Sequence, residues 1–166
     1  MNPANPMTKI HNILITAIEA DDINTLMHVE TRAYPHPWTT CIMQDCLKSD
    51  YPAYKISLEQ TIIAYGFISI AVGESHLLNL TVDPLFQRQG LGTKLLAHLL
   101  TVAEAHDAEE MFLEVRTSNI TARKLYESMG FNEIAIRKNY YPSTNNTRED
   151  AIIMVKTLGH FLFSNE

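Results

Sequence analysis

The chain has 166 residues, of which 46% are hydrophobic and 19% are charged, and its formal net charge is -6. These values indicate one folded domain with its own core and exclude a disordered chain, and the negative charge argues against a general nucleic-acid-binding protein. No apolar run reaches the ~18 residues that a membrane-spanning helix needs. The first residues carry no apolar segment of the kind found in signal peptides, so we expect a cytoplasmic protein. We expect the domain to span residues 1–166, with its core at about 10–157.

The cysteines and histidines are not arranged as metal ligands. Cys41 and Cys46 are the only cysteines, and on the helix predicted around them a spacing of five residues places them on different faces. The seven histidines form neither an H-E-x-x-H motif nor a Cys/His cluster. We therefore expect reduced, structural thiols and no metal site.

In the first half of the chain, the hydrophobic pattern predicts a leader at 1–8, a strand at 10–18, a helix beginning at the acidic residues 19–22, a break at 34–38, a short helix capped by Thr39 or Thr40, and strands at 51–58, 62–72 and 78–82. In the second half it predicts a helix from Leu91 to about residues 105–107, a strand at 111–115, a helix that follows Asn119 and ends at Gly130, a strand at 131–137, a polar loop at 139–148 and a strand at 151–155. The tail at 159–166 is not assigned. This order predicts an α/β protein with a mixed, mainly antiparallel sheet and helices on both faces.

The segment Q-R-Q-G-L-G, residues 87–92, joins the strand at 78–82 to the helix after it. Its glycines allow close approach of the backbone, and the helix N-terminus directs free N–H groups at the same place, as at a phosphate or pyrophosphate site. The segment lacks the third glycine of G-x-G-x-x-G and the Gly-Lys-Ser/Thr spacing of the P-loop. It fits the pattern Gln/Arg-x-x-Gly-x-Gly/Ala. A plain helix cap with glycines for close packing is the alternative, and this segment alone leaves both open.

Three polar residues follow in the second half of the chain. Glu114 stands inside an otherwise apolar strand, where a glutamate needs a partner or a task. The alternative is that it faces solvent at an edge or pairs with Arg116 or Arg123. Tyr126 lies on the next helix, where a packing role is the alternative to a chemical one. Asn119 is well placed to cap that helix, and contact with a bound cofactor is the alternative.

Together these segments resemble a known family. The glycine segment, L-E-V-R-T-S-N and A-R-K-L-Y-E-S-M-G-F resemble the Gcn5-related N-acetyltransferase (GNAT) superfamily. R-A-Y-P-H-P-W and N-Y-Y-P-S-T-N-N-T-R-E-D-A-I-I-M are similar to segments of the bacterial ribosomal-protein alanine N-acetyltransferases within it. The resemblance runs from about residue 13 to 155 and implies the GNAT fold, with acetyl-CoA as co-substrate and no metal.

The resemblance also implies roles for individual residues. Glu114 would be the general base and Tyr126 the general acid, while Asn119 would touch the pantetheine arm of the cofactor. Backbone groups of three strand residues would line the acetyl group and pantetheine, namely Leu80, Thr81 and Val82. The pyrophosphate would be held by Arg88, Gln89, Gly90, Leu91, Gly92 and Thr93.

The implied acceptor is the N-terminus of a ribosomal protein, the alanine α-amine of the eighteenth protein of the small subunit. Relatives with this sequence pattern sometimes acetylate other N-termini, so the target stays open. We expect a monomer or weak dimer. Two alternatives remain: a small-molecule amine acetyltransferase of the same fold, which would not be expected to keep the Y-Y-P and R-E-D-A segments, and a non-catalytic acetyl-CoA-binding module, against which Glu114 and Tyr126 together speak.

Overall fold

A computed structural model of the protein describes residues 13–159. The predicted leader at 1–8, the first residues of the strand predicted at 10–18 and the tail beyond Gly159 lie outside the described residues. The described strands are β1 (Ile13–Ala17), β2 (Ala53–Leu58), β3 (Thr61–Ala71), β4 (Glu74–Val82), β5 (Glu110–Arg116), β6 (Asn132–Pro142) and β7 (Arg148–Thr157). The described α-helices are α1 (Ile23–Ala33), α2 (Thr40–Lys48), α3 (Leu91–Ala105) and α4 (Ile120–Ser128).

The seven strands form one sheet in the order β1-β2-β3-β4-β5-β7-β6. Only β4 and β5 are parallel neighbours in this sheet, and the other adjacent pairs are antiparallel. The parallel pair is possible because α3 lies between the two strands in the chain and returns it to the same end of the sheet. The prediction of a mixed, mainly antiparallel sheet is confirmed.

Two hydrophobic clusters lie on opposite faces of the sheet. On one face, Leu95 and Leu99 of α3 are fully buried in a cluster that also holds Tyr126 of α4. On the other face, Leu26 of α1 and Met43 of α2 are fully buried. Because the helices have apolar stripes at helical spacing, each covers one face of the sheet, as predicted.

Helices α2 and α4 begin at the predicted capping residues, and α4 ends before the predicted glycine. The Thr39 side chain accepts a hydrogen bond from the Ile42 amide (3.3 Å) and caps α2, and Asn119 Oδ1 accepts one from the Ala122 amide (3.1 Å) and caps α4. Gly130 follows α4 with φ +88°, a left-handed conformation that glycine adopts at low cost. These three predictions are confirmed.

Three strands extend two or more residues beyond their predicted ends: β4, β6 and β7, the last of which spans Arg148–Thr157 where 151–155 was predicted. β4 begins at Glu74 rather than at residue 78, because Val72 and Gly73 both have positive φ and form a tight hairpin turn from β3. The polar loop predicted at 139–148 is wrong at its start, since β6 continues to Pro142. β6 is an edge strand exposed along most of its length, so it lacks the apolar alternation that identifies a buried strand.

Candidate active site

The cleft of the molecule opens where β4 and β5 part. The two strands pair in parallel only as far as Leu77 and Leu113, although β4 runs on to Val82 and β5 to Arg116. At the same point β4 contains a bulge, because Phe67 and Ile68 of β3 pair with Asn79 and Leu77 and leave Leu78 between them. A bulge bends and twists its strand, and here it accompanies the loss of pairing with β5.

The backbone of β4 faces the cleft at alternate residues. The Leu80 carbonyl accepts a hydrogen bond from Tyr34 Oη (3.1 Å) and the Val82 carbonyl accepts one from Gln87 Nε2 (3.1 Å). Both carbonyls thus point away from β3. Because the N–H and C=O groups of one strand residue point in the same direction, the amides of Leu80 and Val82 face the cleft as well.

The N-terminus of α3 forms one wall of a cleft of about 900 Å³. Gly90 is the N-cap of this 15-residue helix and has φ +78°. The first-turn amides of a helix have no intrahelical partner and carry partial positive charge. Arg88, which is exposed and has φ +63°, adds a guanidinium group to the same wall. This wall therefore suits a phosphate or pyrophosphate.

Gly90 and Gly92 serve different structural purposes. A Cβ atom added at Gly90 would meet nothing within 4 Å, so this residue is required for its positive φ. A Cβ added at Gly92 would lie 3.3 Å from Leu125 Cδ2 on α4. Gly92 therefore also permits close packing of α3 against α4, which is the alternative that the sequence left open for this segment.

Tyr126 of α4 borders both the main cleft and a smaller pocket of about 290 Å³ next to it. Its side chain is buried, and its ring packs edge-on against Phe131 with 5.9 Å between centroids. Burial raises the pKa of the Tyr126 hydroxyl above its ordinary value, and the nearby hydroxyls of Tyr34 and Tyr141 add to the effect. This hydroxyl is therefore protonated at neutral pH and is available as a donor.

Glu114 of β5 lines the smaller pocket and is half-buried. Its Oε1 atom lies 2.6 Å from Nη1 of Arg137 on β6. Arg116, which the sequence suggested as a partner, instead forms an ion pair with Glu149 (2.8 Å). A hydrogen bond to the Glu114 carboxylate raises the pKa of Tyr140. The Glu114 carbonyl accepts a hydrogen bond from Tyr141 Oη (3.1 Å). The β6 strand thus holds Glu114 through both its side chain and its backbone.

The remaining predicted site residues fall into two groups. The main cleft is lined by Leu80, Val82, Arg88, Gly90, Leu91, Gly92, Thr93 and Asn119. Gln89 and Thr81 are not among the lining residues of either pocket. Thr81 is 1% exposed, and its hydroxyl donates to Asn79 Oδ1 (2.6 Å) on the opposite face of β4 from the main cleft.

Sequence reasoning missed a buried polar cluster beneath the smaller pocket. At its centre is Glu30 of α1, which is 1% exposed. Its partners lie on three other segments of the chain, and the contact with Asn79 joins residues 49 positions apart. A signal for Glu30 was available, since it continues the buried stripe of α1 that includes Ile23 and Leu26. A glutamate at such a position needs hydrogen-bond partners.

Residues 13–159 contain neither a metal-binding cluster nor a helix that could span a membrane. No group of three or more His, Cys, Asp or Glu side chains in this part of the chain is placed to hold a metal ion. None of the helices described there is both long and apolar enough to cross a membrane.

A mixed, mainly antiparallel seven-stranded sheet with helices is the fold that this chain shares with solved GNAT N-acetyltransferases. Residues 23–131 match the model of the Acetyltransferase (GNAT) family, and the chain belongs to that family. Its members transfer an acetyl group from acetyl-CoA. The predicted family, fold and class of enzyme, an acetyl-CoA-dependent N-acetyltransferase, are confirmed.

Curated relatives and a solved structure refine the comparison. The chain is 41% identical over 140 residues to the [ribosomal protein bS18]-alanine N-acetyltransferase of Escherichia coli strain K12, covering 84% of this chain and 94% of the relative. It is 40% identical over 141 residues to the enzyme of that name from Haemophilus ducreyi, covering 85% and 97%. The crystal structure of the ribosomal-protein-S18-alanine N-acetyltransferase from Escherichia coli superposes with a TM-score of 0.85 at 37% identity, covering 93% of this chain and 99% of that one.

Proposed function

We propose that this protein acetylates the α-amine of the N-terminal alanine of ribosomal protein bS18, with Glu114 as general base and Tyr126 as general acid. The names of its relatives support the substrate. One observation supports the site above all others. Glu114 of β5 and Tyr126 of α4 border the same small pocket beside the parted strands, and Tyr126 also borders the cleft that begins at the α3 N-terminus.

The cofactor side of the proposal rests on the main cleft. A volume of about 900 Å³ lies within the range of cofactor pockets. The first-turn amides of α3 and the Arg88 guanidinium would hold the pyrophosphate, and the Leu80 and Val82 backbones would accompany the pantetheine arm towards Tyr126. Acetyl-CoA supplies the acetyl group as an activated thioester: the amine nitrogen bonds to the acetyl carbon, the C–S bond breaks, and CoA leaves as the thiol.

The acceptor side rests on Glu114. An N-terminal α-amine has a pKa of about 7.7–8.0, so at neutral pH an appreciable fraction is already neutral, whereas a lysine amine, with a pKa near 10.4, is almost fully protonated. A carboxylate suffices to remove the remaining proton, directly or through one water molecule. Glu114, bordering the small pocket and half-buried, would serve as this carboxylate.

Two groups would stabilise the charges that develop during transfer. A cleft-facing amide of β4 would donate a hydrogen bond to the thioester oxygen, where negative charge accumulates. Tyr126 would donate its proton to the leaving sulfur. The raised pKa of Tyr126 supports this role, because an acid must still carry its proton when the sulfur leaves.

The setting of the enzyme follows from the substrate. A protein that modifies a ribosomal protein acts where ribosomes are made, so we propose a cytoplasmic location. We further propose that the chain works as a single domain and as a monomer or weak dimer.

Mass spectrometry of two peptides tests the proposed acceptor. One peptide begins Ala-Arg with a free α-amine, and the other is blocked at its N-terminus and carries an internal lysine. With acetyl-CoA, we expect acetylation of the first peptide only. Acetylation of the lysine peptide, or activity restricted to small amines such as polyamines, would contradict the bS18 assignment and leave the acetyltransferase class unaffected.

A further inference from the structure

Glu30 is a fully buried carboxylate that the proposed reaction does not use. It lies near the end of α1, is 1% exposed, and forms part of the floor of the smaller pocket. Burying an ionised group without partners is costly, and a glutamate at such a depth is kept only where donors surround it.

The donors come from three separate elements. Oε1 of Glu30 accepts a hydrogen bond from the Trp38 backbone amide (2.8 Å) in the α1–α2 loop, residues 34–39. Oε2 accepts one from the hydroxyl of Tyr65 on β3 and a longer one from Asn79 Nδ2 (3.5 Å) on β4. The Thr81 hydroxyl of β4 also lies 3.4 Å from Oε2. All of these partners can donate, which suits a carboxylate because an ionised carboxylate only accepts.

The two oxygens of the Glu30 carboxylate contact two different walls of the smaller pocket, the α1–α2 loop and strand β4. The Asn79 contact, extended by the Thr81 hydroxyl that donates to Asn79, fixes β4 just beyond the point where it loses β5 as a neighbour. The Trp38 contact fixes the α1–α2 loop, and the Trp38 ring packs at 5.6 Å from the buried ring of Phe67. One side chain therefore sets the distance between the loop and the parted strand.

We infer that Glu30 is a positioning residue that holds the α1–α2 loop in place as the acceptor-side wall, because His36 and Trp38 of this loop line the smaller pocket together with Glu114. This inference rests on the proposed function for its effect on the peptide, but its structural part can be measured without any acceptor. Glu30 acts through the Trp38 amide and does not contact the amine itself, because its oxygens are already occupied by protein donors.

Trp38 is the only tryptophan in the chain, so its fluorescence reports directly on this loop. We expect Glu30→Ala to increase quenching of Trp38 by acrylamide about twofold and to raise the KM for the Ala-Arg peptide about tenfold or more, as loss of a hydrogen bond to a charged group predicts. The KM for acetyl-CoA should stay within about twofold of the wild-type value, because the proposed pyrophosphate site at Arg88 and the α3 N-terminus has no contact with Glu30.

Two matched variants distinguish the positioning role of Glu30 from an effect of its charge and from a general loss of stability. Glu30→Gln keeps a carbonyl oxygen for the Trp38 amide and should restore both the quenching and the peptide KM nearly to the wild-type values. Tyr65→Phe removes a different donor to the same carboxylate and should lower thermal stability without affecting the loop. If Glu30→Ala does not fold, Glu30→Leu combined with Tyr65→Phe replaces the pair by apolar groups of similar size and still removes the loop contact.

The possible results separate the positioning role of Glu30 from the proposed function. Quenching and peptide KM that are unchanged in Glu30→Ala, or in the double variant, would overturn the inference, and so would a Glu30→Gln enzyme as impaired as Glu30→Ala, since the charge itself would then be required. If the wild type leaves the peptide unmodified while quenching depends on Glu30, the proposed function fails and the positioning role stands. If the wild type is active and quenching does not depend on Glu30, only the positioning role fails.

Discussion

At the scale of single residues, Tyr126 both packs in the core and borders the candidate active site. Its ring is held by Phe131 in the core, while the residue borders both pockets of the site. A tyrosine that only packed would need no access to the cleft, and one that only reacted would need no core contact. Replacement by phenylalanine separates the two roles, because it keeps the ring and removes the hydroxyl.

We predict that Tyr126→Phe folds normally and lowers kcat by roughly the 10²–10⁴-fold typical of a lost general acid. The KM for acetyl-CoA should change little. Since burial raises the pKa of this hydroxyl above its ordinary value, the wild-type enzyme should show no loss of kcat from tyrosine ionisation below about pH 10. A pH profile of kcat for both enzymes is the measurement, and near-normal turnover of the variant would leave Tyr126 as a packing residue.

The raised pKa also has a consequence for stability. A tyrosine whose pKa is higher in the folded state stabilises the fold fully below its unfolded pKa of about 10, and the contribution is lost as the pH rises through the folded value. Tyr126→Phe should therefore be less sensitive to alkaline unfolding above about pH 10 than the wild type, whatever its activity. This comparison confirms that the variant has lost the hydroxyl without losing the packing.

At the scale of elements, the N-terminus of α3 offers a substitution that acts in opposite directions on stability and on binding. Thr93 is the third residue of the helix, is exposed, and lines the main cleft. A carboxylate in the first turn stabilises a helix by about 0.3–1 kcal/mol because it complements the positive end of the dipole. The same carboxylate repels a bound pyrophosphate.

We predict that Thr93→Asp keeps or raises the thermal stability and weakens acetyl-CoA binding about tenfold or more, equivalent to at least about 1.4 kcal/mol. Thr93→Asn is the matched control, because it has nearly the same shape without the charge. Calorimetric titration of both variants measures the affinity. Equal affinity of Thr93→Asp and the wild type would show that the pyrophosphate does not lie at this helix end.

Some ends of helices and strands could be predicted from the sequence and others could not. Caps at Thr39 and Asn119 and the glycine after α4 depend on neighbouring residues, so a local pattern predicts them. The outer part of β6 was missed because its residues are exposed and polar, and its pairing with β7 contains a shift in register before Tyr141. An edge strand held by backbone pairing alone leaves no hydrophobic period to detect.

At the scale of the whole molecule, the family resemblance gave the fold and class, while the site depends on contacts between distant residues. The parting of β4 from β5 coincides with a bulge at Leu78 in the pairing of β4 with β3. The pairing of Glu114 with Arg137 and the cluster around Glu30 join separate elements. Neither a period nor a spacing in the sequence contains this information. Residue types could be nominated as candidates, but their partners could not.

The architecture also predicts how the molecule responds to its cofactor. The two parts of the sheet, β1–β4 and β5–β7, are joined by only four residue pairs between β4 and β5. A ligand that lies along β4 and α3 and touches α4 contacts both parts. We predict a single cooperative thermal transition, as a single domain requires, and an increase in Tm of roughly 5–10 °C at acetyl-CoA concentrations about a hundredfold above Kd. Scanning calorimetry with and without acetyl-CoA is the measurement.

Acetyl-pantetheine, which lacks the pyrophosphate, is the control and should raise Tm much less at the same concentration. Two separate transitions would contradict the single domain, and an equal increase with acetyl-pantetheine would contradict a pyrophosphate site at α3.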